Sequence, residues 1–424
     1  MARTLTAAHL KAAEKPTDKK YVKLIMVTGD NNNKFYEMVY EGGSNFTVKY
    51  GRVEKTSITI TKSISEWTSV YREKVNKGYD DISEMVAVET TEVTQTVSTD
   101  SKYKEIAVES VKKFIDLMRS YTNDLVKKTY SVKADKVSPK QVEEAQKILD
   151  DLKQLDEKDQ KAINDKLIEL YKIIPRCMAN VKSHLLPALD LSKSIDQEQD
   201  NLDAMALQVK MMQKASEKEK KSKSTKRGKA AEPALQTYVE AMGISMDDAN
   251  AAGKKNFEYI LDQLKGRKIE GIFSVEKPEE DIKFEDWLKE QSNKSTRYLI
   301  HGTRCTSVIP ILREGLKIRP AGNFQFSGKV YGDGNYFSEV TSKSLNYTGY
   351  DKDQILLVYE VHTGNPFTYE GWYKGNSFNL NYAELKKRGY DSTYVKAGNG
   401  LLNSEIIAYK EPQCRIKYII WLKR

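Results

Sequence analysis

The hydrophobic pattern of this chain changes twice along its 424 residues, and these changes limit what the chain can fold into. Between about 20 and 85, short runs rich in Val, Ile, Thr and Tyr are broken by Gly and Asn, which predicts strands and turns. From 101 to about 215, apolar residues recur every three to four positions, as in helices. Beyond 233, helix and strand patterns are mixed. A chain of this length can form several cores, so the sequence predicts a multidomain α+β protein.

The first segment is predicted to be a small antiparallel sheet covered by one helix. Its strands are VKLIMVTG, KFYEMVYEG, FTVKYGRVE and TSITITKS. The runs Gly29–Asn33 and Glu41–Ser44 predict hairpin turns. The helix that follows places apolar side chains on a single face, which consists of Trp67, Val70, Tyr71 and Val75.

The second segment is predicted to be a helical bundle. Ser138-Pro139-Lys140-Gln141 is a capping box with Pro at the first helical position, so a helix begins there. A second amphipathic helix is expected to end at Pro175, and a third pattern runs from Leu202 to Met212. This periodicity predicts packing and no particular chemistry.

Charge and composition exclude several classes of protein. No stretch reaches the roughly 18 apolar residues of a membrane span, and the N-terminus lacks the apolar core of a signal peptide. Three isolated cysteines and four histidines make disulfides and a Cys/His metal site improbable, which favours a reducing compartment. The net charge of +9 concentrates in Lys214–Lys229, where eight Lys or Arg face two Glu. This tract is predicted to be a disordered linker, with a nuclear-import signal or a polyphosphate-attracting arm as alternatives.

Three motifs in the C-terminal segment form an ordered set. His301-Gly302-Thr303 ends an apolar strand, and Tyr336 lies in a Gly-x-Tyr-Phe run followed by Ser-Lys-Ser-x-x-Tyr. Glu405 opens a late apolar strand. Together they resemble the His-Tyr-Glu signature of the poly(ADP-ribose) polymerases. The resemblance implies the ADP-ribosyltransferase fold, a split β-sandwich with a cleft for NAD+ as substrate and no metal.

The resemblance also implies which residues bind NAD+. His301 would hydrogen-bond the adenine-side ribose, and the Gly302 backbone would hold the nicotinamide carboxamide. Thr303 and Ser344 would add hydroxyl contacts to that group. Lys317 stands in the donor pocket where many members have Arg, which keeps the charge and loses the planar fork.

The remaining residues of the set would serve the transfer step. Tyr336 and Tyr347 would sandwich the nicotinamide ring. Glu405 would stabilise the oxocarbenium-like ribose and help deprotonate an acceptor hydroxyl. Members limited to single transfer often lack this Glu, so its presence favours polymer synthesis. Asp333 stands where a Lys is common, which reverses a charge near the acceptor side.

Two further resemblances concern the rest of the chain. Lys49–Glu54 (KYGRVE) is similar to the Trp-Gly-Arg run of a WGR domain, with Tyr50 in place of Trp. In that family the aromatic residue and its Arg meet a broken DNA end, so Tyr50 would stack and Arg52 would pair with phosphate. VSPKQVEEAQKILDDL resembles the helical regulatory domain that blocks NAD+ access until DNA binds.

The sequence therefore predicts a DNA-break-stimulated poly(ADP-ribose) polymerase that modifies acceptor proteins, including itself. A mono(ADP-ribosyl)transferase and a catalytically silent nucleic-acid-binding scaffold are the alternatives. The expected protein is a monomer when free and has no membrane contact. It is expected in the nucleus if the source is eukaryotic, and otherwise in the cytoplasm with the DNA. The predicted domains are a tail (1–19), a WGR-like domain (20–88), a linker (89–100), a helical regulatory domain (101–215), a basic linker (216–232) and the transferase (233–424).

Overall fold

The N-terminal part of the chain forms an antiparallel sheet with two short helices. The computed structural model describes residues 6–53, 55–83, 103–224, 236–319, 330–370, 380–398 and 401–424. The first elements are α1 (Ala7–Ala13), β1 (Lys20–Thr28), β2 (Asn32–Tyr40), β3 (Asn45–Arg52), β4 (Ile58–Ser63), α2 (Trp67–Asn76) and β5 (Asp80–Asp81). The strand order β4-β3-β2-β1-β5 confirms the predicted antiparallel strands.

Helix α2 covers this sheet as predicted. Trp67 and Tyr71 are fully buried, and the Trp67 ring meets Phe46 of β3 edge-on at 5.0 Å between centroids. The β1–β2 hairpin turns at Asn31, whose φ of 67° is the left-handed conformation that Asn tolerates. Short strands and a polar turn therefore fold back on themselves, and the aromatic residues fill the space beneath the helix.

Part of the predicted N-terminal tail is helical, because Ala7–Ala13 form α1. Thr6 caps this helix in a reciprocal capping box with His9. Trp67 Nε1 donates to the Ala12 carbonyl at 3.2 Å, and Ala13 is buried in the sheet's core. A seven-residue helix is too short to be stable alone, so this packing stabilises it.

Four longer helices follow: α3 (Glu109–Thr129), α4 (Pro139–Leu152), α5 (Gln160–Ile173) and α6 (Leu191–Ser224). The capping box at Ser138 and the end of α5 before Pro175 are confirmed. Helix α6 corrects the linker prediction, because it continues through 216–224, where Lys, Glu and Ser form helix readily enough. The rest of that linker and the linker at 89–100 lie outside the described residues. No helix among the described residues has the length and hydrophobicity of a membrane span.

The chain divides into two compact units. The first contains the N-terminal sheet and Leu125–Lys220, and the second contains Val97–Asp124 with the C-terminal part of the chain. The helical segment is thus shared between the units, and α3 contributes its first sixteen residues, Glu109–Asp124, to the second one.

The second unit contains two sheets. Its elements are α7 (Tyr238–Ala241), β6 (Ser245–Asp248), α8 (Ala251–Lys255), α9 (Glu258–Gln263), β7 (Lys268–Glu276), α10 (Pro278–Lys289), β8 (Thr296–Thr303), α11 (Cys305–Glu314), β9 (Asn335–Phe337), α12 (Thr341–Leu345), β10 (Asp353–His362), β11 (Pro366–Glu370), α13 (Tyr382–Lys387), β12 (Ser392–Lys396), β13 (Glu405–Ala408) and β14 (Cys414–Lys423). The larger sheet has the order β6-β7-β14-β10-β8, and the smaller has β11-β12-β13-β9. Every pair is antiparallel except β11–β12, which α13 connects.

The two sheets meet at β8 and the residue after β9. Ile300 and Ser338 exchange two backbone hydrogen bonds of 2.9 Å, and these form the bridge between the sheets. Both partners lie next to residues of the sequence motifs, His301 on one side and Phe337 on the other. The junction therefore brings the motif strands together.

The first part of α3 belongs to the core of this second unit. The Phe114 ring lies 4.9 Å from Phe273 of β7, centroid to centroid. The Tyr121 hydroxyl donates to Asp353 Oδ2 at 2.9 Å. Asp353 is fully buried, and it also accepts from Trp421 Nε1 at 2.7 Å and pairs with Lys423. These bonds satisfy the buried carboxylate and hold its pKa below the usual range despite burial.

Candidate active site

His301 lies on β8 beside the junction of the two sheets. Its Nδ1 is 3.0 Å from the Tyr336 carbonyl, and because a carbonyl only accepts, Nδ1 carries the hydrogen. Burial lowers the pKa of His301, and the bond to Tyr336 opposes that effect without cancelling it. The imidazole is therefore neutral at pH 7, with Nε2 as an acceptor. Such a group suits a hydroxyl donor such as a ribose.

Gly302 is required by the packing of α12 against β8. A Cβ at this position would overlap the Ser344 carbonyl oxygen. Ser344 is buried, and its hydroxyl donates to the Ile300 carbonyl at 3.4 Å. The close approach of backbone to backbone brings the Ser-Lys-Ser run to the His301 strand. Glycine here is consequently structural, whatever else its backbone binds.

Tyr336 is fixed on β9, at the edge of the smaller sheet. Its hydroxyl donates to the Gly332 carbonyl at 2.8 Å and accepts from Tyr331 N at 2.9 Å. Burial, with a smaller contribution from Tyr409, raises the pKa of Tyr336 far above its usual range, so the phenol stays protonated. Both bonds hold the ring in one orientation, as a flat binding surface requires.

Glu405 opens β13, and it forms a buried ion pair with Lys343 of α12. Their side chains are 9% and 14% exposed. In the pairing of β13 with β9, Ile407 faces Tyr336. Lys343 therefore connects the predicted catalytic carboxylate to the helix that packs on Gly302.

The other predicted residues differ in their burial and in their partners. Thr303 is buried at the end of β8, and Tyr347, 42% exposed, donates its backbone N–H to the Ser344 carbonyl at 3.1 Å. Lys317 is instead paired with Glu411 at 2.9 Å, at the turn after β13. That pair borders an open cleft of about 450 Å³ with Trp287 in its wall.

Comparison with known proteins identifies the family of this chain. Residues 254–424 match the model of the poly(ADP-ribose) polymerase catalytic domain. A protein of Invertebrate iridescent virus 6, described as a putative poly [ADP-ribose] polymerase-like 100L, is 58% identical over 181 residues. The match covers 42% of this chain and the whole of the viral protein. The chain belongs to the poly(ADP-ribose) polymerase family.

Other relatives match more of the chain at lower identity. Chicken poly [ADP-ribose] polymerase 1 is 26% identical over 343 residues, which cover 74% of this chain and 32% of the chicken protein. A second iridescent virus protein, the uncharacterized 101L, is 47% identical over 191 residues, 45% of this chain and 78% of its own length. As a member of the family, the chain is an ADP-ribosyltransferase whose substrate is NAD+.

The two residues predicted to bind DNA lie in the first unit. Tyr50 of β3 stacks on Tyr36 with 5.6 Å between ring centroids, and it is partly exposed. Arg52 donates to the Asn31 carbonyl at 2.7 Å, to Asn31 Oδ1 at 2.9 Å and to the Ala179 carbonyl at 2.8 Å. Three of its five N–H groups are thus used inside the unit, and two remain for a phosphate.

The sequence motifs missed some residues that organise this polymerase site. Lys343 stood within the Ser-Lys-Ser run, but no spacing rule indicates its partner Glu405. Ser338 and Gln263 carry no motif, although both bond the segment between β9 and α12. The sequence signal for Ser338 is a hydroxyl residue directly after the apolar β9 run, which by itself is common. Only the tertiary structure identifies these contacts.

Proposed function

We propose that this chain is a poly(ADP-ribose) polymerase stimulated by DNA breaks. It would transfer ADP-ribose from NAD+ to proteins, including itself, and extend the polymer in the response to DNA damage. The observation that carries polymer synthesis is the buried Glu405 carboxylate, held by Lys343. Elongation requires a base for the acceptor hydroxyl, and a fixed carboxylate can serve as one.

The chain's own residues would divide the work as follows. Nε2 of His301 accepts a hydrogen bond from the adenine-side ribose. Tyr336 and Tyr347 flank the nicotinamide ring, and its fixed hydroxyl makes Tyr336 the rigid side of that slot. The carboxylate of Glu405 is held where positive charge develops on the ribose and where the acceptor loses its proton. NAD+ supplies the ADP-ribosyl group and nicotinamide as the leaving group.

The nicotinamide carboxamide would meet the backbone of Gly302 and the hydroxyls of Thr303 and Ser344. Ser344 hydrogen-bonds the Ile300 carbonyl, so its hydroxyl can still accept a bond from an amide N–H. Lys317 would reach the donor from the edge of the cleft, in exchange for its bond to Glu411. Together these residues bind more of NAD+ than the reacting bond alone, as an orienting site requires.

Stimulation by DNA would begin at Tyr50 and Arg52. The partly exposed Tyr50 ring offers a stacking surface, and the two remaining N–H groups of Arg52 can meet one phosphate. The helical segment would restrain the site until DNA binds, and the protein would be a nuclear monomer when free. The single-transfer and silent-scaffold alternatives differ from this proposal in product, so one experiment separates all three.

That experiment incubates the full-length protein with labelled NAD+, with and without nicked DNA, and resolves the products by length. We expect long polymer that increases with DNA. Glu405→Gln should abolish elongation with little change in NAD+ affinity, because the carboxylate acts in the transition state. Glu279→Gln, at an exposed ion pair on α10, is the matched control. Single ADP-ribose units would support the mono-transferase, and no turnover at all would support the scaffold.

A further inference from the structure

Ser338 contacts several segments that carry sequence motifs, although no motif indicates Ser338 itself. It follows β9 directly and is 2% exposed. Its backbone pairs with Ile300 of β8. Its hydroxyl donates to the Ser404 carbonyl at 3.2 Å and accepts from Val340 N at 3.0 Å. One residue thus touches the strand of His301, the residue before Glu405 and Val340, the residue before α12.

These contacts use the hydroxyl fully on its donor side. A Ser hydroxyl has one hydrogen and two lone pairs, and here the hydrogen is directed to Ser404. That carbonyl belongs to a buried residue, and Ser404 immediately precedes Glu405. Without the hydroxyl, the Ser404 carbonyl and the Val340 N–H both lose this hydrogen-bond partner. The start of β13 is therefore held against the segment 338–341 by a specific bond rather than by packing alone.

A second side chain holds the other end of the same segment. Gln263, the last residue of α9, donates from Nε2 to the Glu339 carbonyl at 2.8 Å and accepts from Thr341 N at 2.9 Å. Thr341 begins α12, which carries Lys343 and Ser344. Gln263 is exposed, in contrast to Ser338. These two side chains, the two clamps, both hold the segment that leads into α12, and Ser338 also bonds Ser404, the residue before β13. Loss of the Ser338 hydroxyl therefore leaves α12 held by Gln263.

We propose that Ser338 is a positioning residue for the transferase reaction, because its hydroxyl sets the position of the Glu405 carboxylate. The proposal rests on the role of Glu405 proposed above. A displaced carboxylate affects the transition state more than substrate binding, and errors near 1 Å can reduce rate by about 100-fold. Loss of the hydroxyl should therefore lower kcat while leaving KM for NAD+ nearly unchanged.

The test compares Ser338→Thr with Ser338→Val in the full chain. These two replacements have nearly the same shape and differ in the hydroxyl, so packing effects cancel. We expect the Thr variant to keep kcat within about threefold of wild type, and the Val variant to lose about 10- to 100-fold with shorter polymer. KM for NAD+ should differ less than about twofold between them. Equal kcat and equal polymer length in the two variants would overturn the proposal.

Gln263→Ala is the control at the other clamp. It should mainly raise KM for NAD+, because it loosens α12 and not β13. If the β-branched variants fail to fold, Ser338→Ala replaces them and is compared with wild type well below both melting temperatures, where an unchanged kcat overturns the proposal. A wild-type protein that releases nicotinamide without polymer would instead contradict the proposed function, so the two failures are distinguishable.

Discussion

Removing either member of the Lys343–Glu405 pair should destabilise the transferase unit, and removing both should not. Both side chains are largely withdrawn from water, so the survivor of a single substitution is a buried charge without its partner. We expect Lys343→Met to lower the free energy of unfolding by about 3–5 kcal/mol, the usual cost of breaking a buried pair. Glu405→Gln should cost less, about 2–3 kcal/mol, because its amide oxygen still accepts a bond from Lys343.

The double variant Lys343→Met/Glu405→Gln carries no charge at the site. Replacing a whole buried pair by neutral groups is often close to neutral, so its stability should return to within about 1 kcal/mol of wild type. The coupling energy from the four proteins should then be at least about 4 kcal/mol. Activity should not recover in the double variant, because all three variants lack a correctly held carboxylate. Each should lose at least about 100-fold in kcat.

Urea denaturation and steady-state turnover measure the two quantities on the same preparations. The control is the pair Lys283–Glu279 on α10, whose side chains are 60% and 77% exposed. The same cycle there should give a coupling below about 1 kcal/mol. A coupling near zero at Lys343 and Glu405 would refute the buried pair, and a fully active double variant would refute the role of Glu405.

Other predictions follow from single residues. Burial lowers the pKa of the His362 imidazole, so the unfolded state binds a proton at a higher pH than the folded state does. The free energy of unfolding should therefore fall as pH drops below about 6.5. Tm measured from pH 7.5 to 5.5 should fall less steeply in His362→Gln than in wild type. Gly302→Ala should lower Tm even without NAD+, because its Cβ meets the Ser344 carbonyl, and an unchanged Tm would contradict that packing. Tyr50→Ala should weaken binding to broken DNA and lower Tm only slightly, through its lost stacking on Tyr36. Arg52→Ala should lower Tm further through its lost bonds to Asn31. Calorimetry and a DNA titration separate the effects on Tm and on DNA binding.

Local patterns predicted the parts of the fold that depend on neighbours in sequence. The strands, the helix with Trp67 and the Ser138 cap follow from alternation, spacing and capping, which act over a few residues. Helix α1 was missed because a helix of seven residues depends on packing against Trp67. Helix α6 extends beyond its predicted end, because a lysine-rich composition indicates a linker although the same residues also allow helix.

The site residues are predicted from sequence motifs, whereas the contacts between them do not follow from the sequence. His301, Tyr336 and Glu405 stand in recognisable motifs, and the fold brings them to one junction. The bond from Ser338 to Ser404 joins residues 66 positions apart, and the Lys343–Glu405 pair is similarly remote in sequence. Neither contact can be predicted from periodicity, because both depend on how β9, α12 and β13 pack together in the folded chain. Arg52 was predicted to face DNA, and its bonds inside the unit were equally invisible in the sequence.

The bond between Tyr121 and the buried Asp353 limits where the chain can be truncated without loss of contacts in the transferase unit. Its carboxylate binds Tyr121 of α3, so the helix up to Asp124 is a structural part of the enzyme and not a removable cover. A fragment that begins at the start of the family match, residue 254, would lose this bond and would leave Phe273 without Phe114. Deleting 101–215 to test the proposed restraint would also remove Phe114 and Tyr121 and their contacts in the transferase unit. A deletion that begins after Asp124 keeps both contacts and tests the proposed restraint by itself.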